Sequence, residues 1–363
     1  MNIEQYVARR QKEVVKHGAN IKDYEIFSLN YVPKRPLIRD EARQIIDNLV
    51  RYQETGIPRN LMVIGARGSG KTMSVKYLSR VFSQKFGLPF RYVNCRYDNS
   101  SFKILAKLLH VKPRGYSYSE LITRFEEEVP GPCVIVLDEA DLISTEKDQR
   151  KDILYFLSRS KRKYAVILLS NNPRFLRTLD ESTRSSLQAE LLHFRNYTAG
   201  QIMSILRDRA AEGLKSSEKA LLAEVAALTA RNTNSDIRVA LKTLLYCVTK
   251  EAKTVSQSFE RARQDLVMDM LNDMNDKALL ILKAAMEEPS HLVKNAYKRY
   301  GDISRTMGEE PYSYVYFYNN LAYLQSVGLV TLLSAKIDRA YTNRIHPLFS
   351  QDELSAVLKA RFR

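Results

Sequence analysis

Residues 61–72 read LMVIGARGSGKT, a short apolar run that leads into the pattern GxxxxGKT. The run predicts a buried strand, and the pattern predicts a glycine-rich loop that opens a helix. Such a loop turns backbone N–H groups towards the phosphates of a nucleoside triphosphate, and the positive end of the helix favours the anion. A chance glycine turn is the alternative, which the flanking strand and helix disfavour. The residues expected to contact the nucleotide are Gly65, Ala66, Arg67, Gly68, Ser69, Gly70, Lys71, Thr72 and Met73.

A second stretch, CVIVLDE at residues 133–139, is an apolar run that ends in two carboxylates. A continuous apolar run is typical of a parallel strand buried on both faces, and such strands end at the edge where α/β folds bind ligands. Asp138 and the hydroxyl of Thr72 would then hold Mg²⁺. Glu139 would orient or deprotonate the attacking water, while Lys71 reaches the β- and γ-phosphates. Together the two motifs predict binding and hydrolysis of ATP.

Three further side chains are candidates for catalysis. Asn171 follows an apolar strand at residues 164–169 and would contact the γ-phosphate or the water, although an ordinary asparagine turn is the alternative. Arg238, near the start of a helix, would face the nucleotide unless it is merely a solvated arginine. Arg184 would complete a neighbouring subunit's site as an arginine finger, and Arg174 and Arg177 are alternatives close by.

The composition bounds the class of protein. The chain has 363 residues and a net charge of +16, and residues 1–200 hold 34 basic against 22 acidic residues. A basic balance fits nucleic-acid binding, although a protein can also be basic and simply soluble. No apolar run approaches the ~20 residues of a membrane span, and the polar N-terminus does not read as a signal peptide. With three cysteines that lack metal-ligand spacing, we expect a cytoplasmic, nucleoid-associated protein with no membrane partner.

The order of patterns predicts an α/β fold with three parts. Residues 1–197 alternate strands and helices, which predicts a parallel sheet preceded by a polar arm and interrupted by a two-helix insertion at about 97–130. Residues 198–271 read as a helical lid domain. Residues 272–363 read as three helices and a hairpin with a turn at 334–341, the outline of a winged helix.

Two surfaces are candidates for DNA contact. On a helix expected from Pro311, a tyrosine-rich face would meet the major groove, although it would equally suit a protein partner. Its candidate residues are Tyr312, Tyr316 and Asn319, with Arg339 and Arg344 of the hairpin on phosphates. In the insertion, Lys103 and Lys107 are expected on an exposed face opposite a buried stripe of Phe102, Leu105 and Leu109, and a solvated basic face is the alternative. Lys112 and Arg114 are further candidates for DNA contact.

Taken together, these motifs resemble the AAA+ ATPases, and more narrowly the archaeal replication initiators related to the origin-recognition and cell-division-control proteins. The resemblance covers nearly the whole chain. It rests on Asn30–Pro33 with Arg39-Asp40, on Tyr92–Cys95, on Leu137–Asp141, on Leu168–Asn171 and on Asp236–Leu241.

The resemblance implies an adenine pocket that includes Tyr31, Val32 and Arg39, with ATP or ADP and Mg²⁺ as cofactors. It also implies binding of double-stranded origin DNA by the insertion and the winged helix, a slow, switch-like hydrolysis, and recruitment of the replicative helicase with initiator paralogues as partners. Two departures are visible: residues 335–344 of the wing lack glycine, and Ser235 replaces a usual glycine.

Two rival functions remain open. One is another DNA-associated AAA+ ATPase, such as a clamp loader or a plasmid or viral partitioning protein. The other is a protein-interaction ATPase whose winged helix binds a partner protein.

Overall fold

The computed structural model describes residues 3–143, 148, 151–337 and 340–362. Contacts divide the chain into two units: residues 32–196 form one, and residues 1–31 form the other with residues 197–363. This division differs from the predicted first domain, residues 1–197, because the N-terminal arm groups with the C-terminal half. The arm contains helix α1 (Ile3–His17). None of the described helices is long and apolar enough to cross a membrane.

The unit of residues 32–196 is a parallel sheet with helices on both faces, which confirms the predicted α/β class. The five strands lie in the order β2-β3-β4-β1-β5, and every neighbouring pair is parallel. The strands are β1 (Leu61–Ile64), β2 (Phe90–Asn94), β3 (Val134–Asp138), β4 (Ala165–Ser170) and β5 (Glu190–His193). The helices are α2 (Asp40–Thr55), α3 (Lys71–Phe86), α4 (Ser101–Leu108), α5 (Tyr118–Glu128), α6 (Asp152–Arg159) and α7 (Glu181–Leu187).

The three central strands are buried on both faces, as their continuous apolar runs predict. Alternate residues point to opposite faces, so Met62 and Ile135 join one core cluster while Val63 and Val136 join the other. The register aligns the carboxyl ends of these strands, which brings residues distant in sequence to one edge of the sheet. Strand β5 and helix α7 were not predicted, because both are short.

The second unit continues with four helices and then a smaller C-terminal group. The four helices are α8 (Ala199–Gly213), α9 (Lys219–Asn232), α10 (Ile237–Val248) and α11 (Val255–Asn272). The C-terminal group consists of α12 (Asp276–Glu287), α13 (Val293–Thr306), α14 (Tyr314–Val327), β6 (Val330–Ile337), β7 (Ala340–Pro347) and α15 (Gln351–Arg361). Strands β6 and β7 pair as an antiparallel hairpin.

The C-terminal group differs from the prediction in three respects. Helix α14 begins at Tyr314 rather than Pro311, because the side chain of Ser313 caps it by accepting from the N–H of Tyr316. The predicted turn at 334–341 is wrong, since β6 continues to residue 337 and β7 begins at 340. Helix α15 was not predicted, and its apolar side packs on the same core as α12.

Tyr52 joins helix α2 to the start of the sheet and allows a test of the fold. Its ring is buried, and its hydroxyl donates to the carbonyl of Lys163 (2.8 Å) and accepts from the N–H of Cys133 (2.9 Å). Burial raises the pKa of Tyr52 to about 12. Tyr52→Phe should lower the free energy of unfolding by about 1–3 kcal/mol, because the buried N–H of Cys133 and the partly buried carbonyl of Lys163 lose their partner. Urea unfolding measures the change, and Tyr155→Phe, at an exposed tyrosine, should leave it unaltered.

Candidate functional site

The loop between β1 and α3 wraps around the ammonium of Lys71. This Nζ donates to the carbonyls of Gly65 (2.7 Å) and Ala66 (3.0 Å) and to Oδ1 of Asn171 (2.9 Å). Gly65 allows close packing, since a Cβ there would lie 2.5 Å from the carbonyl oxygen of Phe194. Gly70 has a φ of 91°, a conformation that glycine adopts without strain. The predicted lysine and asparagine are therefore side by side.

The loop fits a bound phosphate. Ser69 is buried in it, and its hydroxyl has no hydrogen-bond partner among the described residues. The adjacent helix α3 begins at Lys71, so its unpaired N–H groups face the same loop. Phosphate oxygens would satisfy these donors, and a bound nucleotide with Mg²⁺ would supply the reactive phosphoanhydride and its charge neutralisation.

Asp138, at the end of β3, lies at the centre of a second group of contacts. Its Oδ2 accepts from the hydroxyls of Thr72 (2.9 Å) and Tyr92 (2.6 Å), and its Oδ1 accepts from the N–H of Glu139 (2.9 Å). Hard oxygen donors of this kind suit Mg²⁺, so Asp138 and Thr72 are proposed to hold it. Burial, and then the charge of Asp138, raises the pKa of Tyr92, which keeps its hydroxyl a donor.

Glu139 is oriented by an ion pair that the sequence did not indicate. Arg96, just beyond β2, donates to Oε2 of Glu139 through Nε and Nη2, both at 2.8 Å. The backbone of Glu139 has a φ of 53°, in the left-handed region, which costs about 1–3 kcal/mol for such a residue. Glu139 must leave Arg96, or share it, to act on a water at the nucleotide.

Arg39, which is predicted to lie in an adenine pocket, belongs to the same unit and makes its contacts with the chain itself. It is buried, and its guanidinium donates to the carbonyls of Ser69 (3.0 Å) and Arg195 (2.8 Å) and to Glu41 (2.9 Å). The contact with Ser69 ties Arg39 to the phosphate loop. We propose that Arg39 acts on the loop rather than on the adenine.

Tyr31 and Arg238 belong to the other unit, whereas Val32 begins the unit of the sheet. The hydroxyl of Tyr31 donates to Glu212 (2.7 Å), and the guanidinium of Arg209 lies 4.4 Å from its ring centre. Burial raises the pKa of Tyr31, with a further contribution from Glu212. Arg238 forms an ion pair with Asp236, the residue that caps helix α10. The predicted roles of Tyr31, Val32 and Arg238 stay predictions.

The remaining predicted site residues lie in the phosphate loop, in the first turn of α3 and on α7. Ala66, Arg67, Gly68 and Met73 are half-buried around the phosphate loop. Arg184 is exposed on α7, as an arginine that reaches a neighbouring subunit needs to be. Its role as an arginine finger remains a proposal.

The insertion buries more of α4 than the sequence suggested. Ile104, Ala106 and Leu108 are buried along with Leu105 and Leu109, because α4 packs on the sheet and on α5 together. Phe102 and Lys103 are only half-buried, so Lys103 and Lys107 do not share a fully exposed face. Lys107, Lys112 and Arg114 are exposed, the last two in the loop between α4 and α5.

The candidate DNA-contacting residues of the C-terminal group also differ in their exposure. Tyr316 and Asn319 are exposed on α14. Tyr312 precedes the helix and is half-buried, with its N–H bonded to the hydroxyl of Tyr300, which corrects its predicted place on the exposed helical face. Arg344 is exposed on β7, and Arg339 lies outside the described residues.

Exchange of the proposed general base is the first test of the site. Glu139→Gln should leave ATP binding intact and reduce phosphate release by about 100-fold or more, because it removes the basic carboxylate but no proposed metal ligand. Equilibrium binding of labelled ATP and steady-state phosphate release measure the two effects. Glu190→Gln, at an exposed position, is the control. Normal turnover in Glu139→Gln would show that another group activates the water.

Tyr92 contacts the proposed metal ligand Asp138, which sequence reasoning did not indicate, and its role can be tested through the metal. Tyr92→Phe should raise the Mg²⁺ concentration needed for half-maximal nucleotide binding by about 10-fold, because Asp138 loses a donor that orients it. A Mg²⁺ titration of nucleotide binding measures this. Tyr77→Phe, at a half-buried tyrosine of α3, should match the parent protein. An unchanged titration in Tyr92→Phe would mean that Thr72 and the backbone orient Asp138 unaided.

Comparison with known proteins places this arrangement among characterised folds. Residues 57–179 match the AAA domain family. The ORC1-type DNA replication protein of Thermococcus kodakarensis is 28% identical over 340 residues, which cover 83% of this chain and 79% of the relative. ORC1-type DNA replication protein 1 of Sulfolobus acidocaldarius is 32% identical over 252 residues, covering 63% of this chain and 62% of that protein.

Solved structures agree on the fold. The Aeropyrum pernix ORC1 protein, solved in complex with DNA, superposes with a TM-score of 0.67 at 22% identity and covers 94% of this chain and 97% of its own. Cdc6p from Pyrobaculum aerophilum gives a TM-score of 0.56 at 22% identity, covering 95% of this chain and 100% of that one. Residues 57–179 therefore match the AAA domain family, and the chain is similar, over most of its length, to the ORC1-type DNA replication proteins of archaea.

Proposed function

We propose that this chain is an ATP-dependent initiator that binds DNA replication origins, marks or remodels origin DNA and helps to recruit the replicative helicase. The observation that carries the proposal is the assembled phosphate site, in which Lys71 contacts Asn171 and Thr72 contacts Asp138. The similarity to ORC1-type replication proteins along most of the chain supports the choice of initiator over other AAA+ classes.

The residues of the site suggest a slow, switch-like ATPase. Lys71 and the loop N–H groups would bind the phosphates of ATP or ADP, Asn171 would contact the γ-phosphate, and Glu139 would take a proton from water. Because Glu139 is held by Arg96, the site as it stands is better arranged to bind ATP than to hydrolyse it rapidly. Arg238 from the lid and Arg184 from a neighbouring subunit would complete the closed state.

The exposed basic residues of the insertion support the proposal that it contacts the DNA backbone. Lys107, Lys112 and Arg114 are exposed cations within a stretch, residues 91–114, that holds six basic residues and one acidic residue. Exposed lysine and arginine side chains displace condensed counterions from duplex DNA, and this release drives binding. Half-buried Lys103 has less freedom to reach a phosphate and contributes less.

The C-terminal group supports recognition of the duplex itself. Three helices and a hairpin follow one another from α12 to β7, the element order of a winged helix, and α14 exposes Tyr316 and Asn319. Asn319 would read adenine in the major groove, and Arg344 on the hairpin would contact phosphate. We accordingly propose residues 198–271 as the lid and 272–363 as the winged-helix domain.

A second candidate function has an observation in its favour. Val315 on α14 is 69% exposed and Tyr314 is 45% exposed, so the helix presents an apolar surface beside Tyr316. Residues 272–363 also carry a net charge of only +2. Such a surface suits a protein partner as well as DNA, which favours a protein-interaction ATPase as the alternative.

Footprinting on the replication origin of the source organism separates the candidates. Protection of discrete repeats in the presence of ATP supports the initiator. Weak, salt-sensitive binding with no preferred sequence supports another DNA-associated ATPase. Absence of DNA binding at moderate salt supports the protein-interaction alternative.

Removal of the exposed insertion charges tests the proposed backbone contacts. The double change Lys107→Ala with Lys112→Ala should weaken DNA binding and reduce the slope of log K against log salt by about 1 to 2, roughly one for each lost phosphate contact. Binding of origin DNA across a salt series measures the slope. A matched change of Lys85 and Lys161, two exposed lysines near the amino ends of the sheet strands, should leave it unaltered. Equal slopes in both double variants would exclude the insertion from the DNA interface.

A further inference from the structure

We propose that Asp141 and Ser170 form a positioning pair that fixes Asn171 against Lys71 and so sets the preference of the site for ATP over ADP. The inference deepens the proposed function, because it rests on Asn171 contacting the γ-phosphate. The proposed effect of Asp141 and Ser170 reaches the nucleotide through Asn171.

Ser170 ends strand β4 and is almost wholly buried, at 1% exposure. Its hydroxyl donates to Oδ1 of Asp141 (2.5 Å) and accepts from the N–H of Asn172 (2.8 Å). The hydroxyl therefore uses its single proton on one side and a lone pair on the other. Asn171 lies between Ser170 and Asn172 in the chain. The hydrogen bonds of the Ser170 hydroxyl therefore restrict the backbone that carries the side chain of Asn171.

Asp141 connects this turn to the segment that follows strand β3. It lies three residues beyond Asp138, in the short 3-10 turn Ala140–Leu142 that follows β3. Burial raises the pKa of the Asp141 carboxyl, and the charge of Lys71 opposes the rise. A carboxylate placed at such an electrostatic cost needs a partner, and Ser170 supplies the hydrogen bond.

The far end of the turn reaches the nucleotide site. Oδ1 of Asn171 accepts from Nζ of Lys71 at 2.9 Å. The hydrogen bonds of the pair run from Asp141 through Ser170 to the N–H of Asn172, and Asn171 is the residue enclosed by that turn. Without the pair, the backbone of the turn would be more mobile, and the side chain of Asn171 would contact Lys71 for a smaller fraction of the time. ADP lacks the phosphate that Asn171 is proposed to contact, so only ATP binding should weaken.

A double-mutant cycle tests the pair in the full chain. Kd values for ADP and for a non-hydrolysable ATP analogue are measured, with Mg²⁺, for Ser170→Ala, Asp141→Ala and the double variant. Each single change should reduce the preference for the ATP analogue by about 5- to 20-fold while ADP affinity stays within about twofold. The double variant should be no worse than either single variant, because both remove the same interaction. Asp141→Asn keeps an acceptor oxygen and should retain the preference of the parent protein.

A remote serine–carboxylate pair in the same unit serves as the matched control. The hydroxyl of Ser160 donates to Glu126 at 2.8 Å, away from the phosphate loop, and Ser160→Ala should not change the preference. Equal weakening of ADP and ATP analogue in the variants of Asp141 and Ser170 would overturn the proposal. If Ser170→Ala fails to fold, equal preferences in Asp141→Asn and Asp141→Ala would overturn it instead.

Asn171→Ala separates failure of the pair from failure of the assigned sensor. If Asn171→Ala lowers the preference for ATP while the pair variants do not, the positioning pair is wrong and the sensor role stands. If Asn171→Ala also has no effect, the γ-phosphate contact is wrong and the pair falls with it. Binding of origin DNA by the parent protein is measured separately, so the initiator proposal is judged independently.

Discussion

The buried ammonium of Lys71 is the constraint on which the nucleotide site depends. A buried charge is stable only if hydrogen bonds replace its water, and Lys71 finds its acceptors on the phosphate loop and on Asn171. The second of these partners lies 100 residues away in sequence, on the strand next to β1. The strand order of the sheet places β4 next to β1 and therefore brings Asn171 to Lys71.

The same rule organises the layer around the loop. Arg39 is buried and donates to the carbonyls of Ser69 and Arg195 and to Glu41, so it ties the loop to the chain around it. Asp138 is surrounded by donors, and Glu139 by Arg96. Lys71, Asp138 and Glu139 are each held by a partner on a different strand or loop. Such preorganisation reduces the reorganisation needed when substrate binds.

The proposed DNA surfaces follow a different logic from the nucleotide site. They depend on exposed side chains whose neighbours leave them free to reach phosphate, as with Lys112 and Arg114 in a loop between two short helices. Val315 and Tyr314 are exposed on α14, so this surface can bury apolar area against a partner as well as make charged contacts. The insertion begins close to the nucleotide site along the chain, since α4 begins at Ser101, five residues beyond Arg96.

The sequence by itself determined the α/β class and located the proposed phosphate loop, because continuous apolar runs and the GxxxxGKT pattern are local properties. It missed β5 and α7, which are too short to show a period, and it overestimated the exposure of Lys103, since packing against two partners is not visible in one helix. Only the tertiary structure decided that Tyr92 contacts Asp138, that Arg96 pairs with Glu139 and that Arg39 supports the loop. These contacts join strands and loops far apart in sequence, and their distances depend on strand order and register rather than on spacing along the chain.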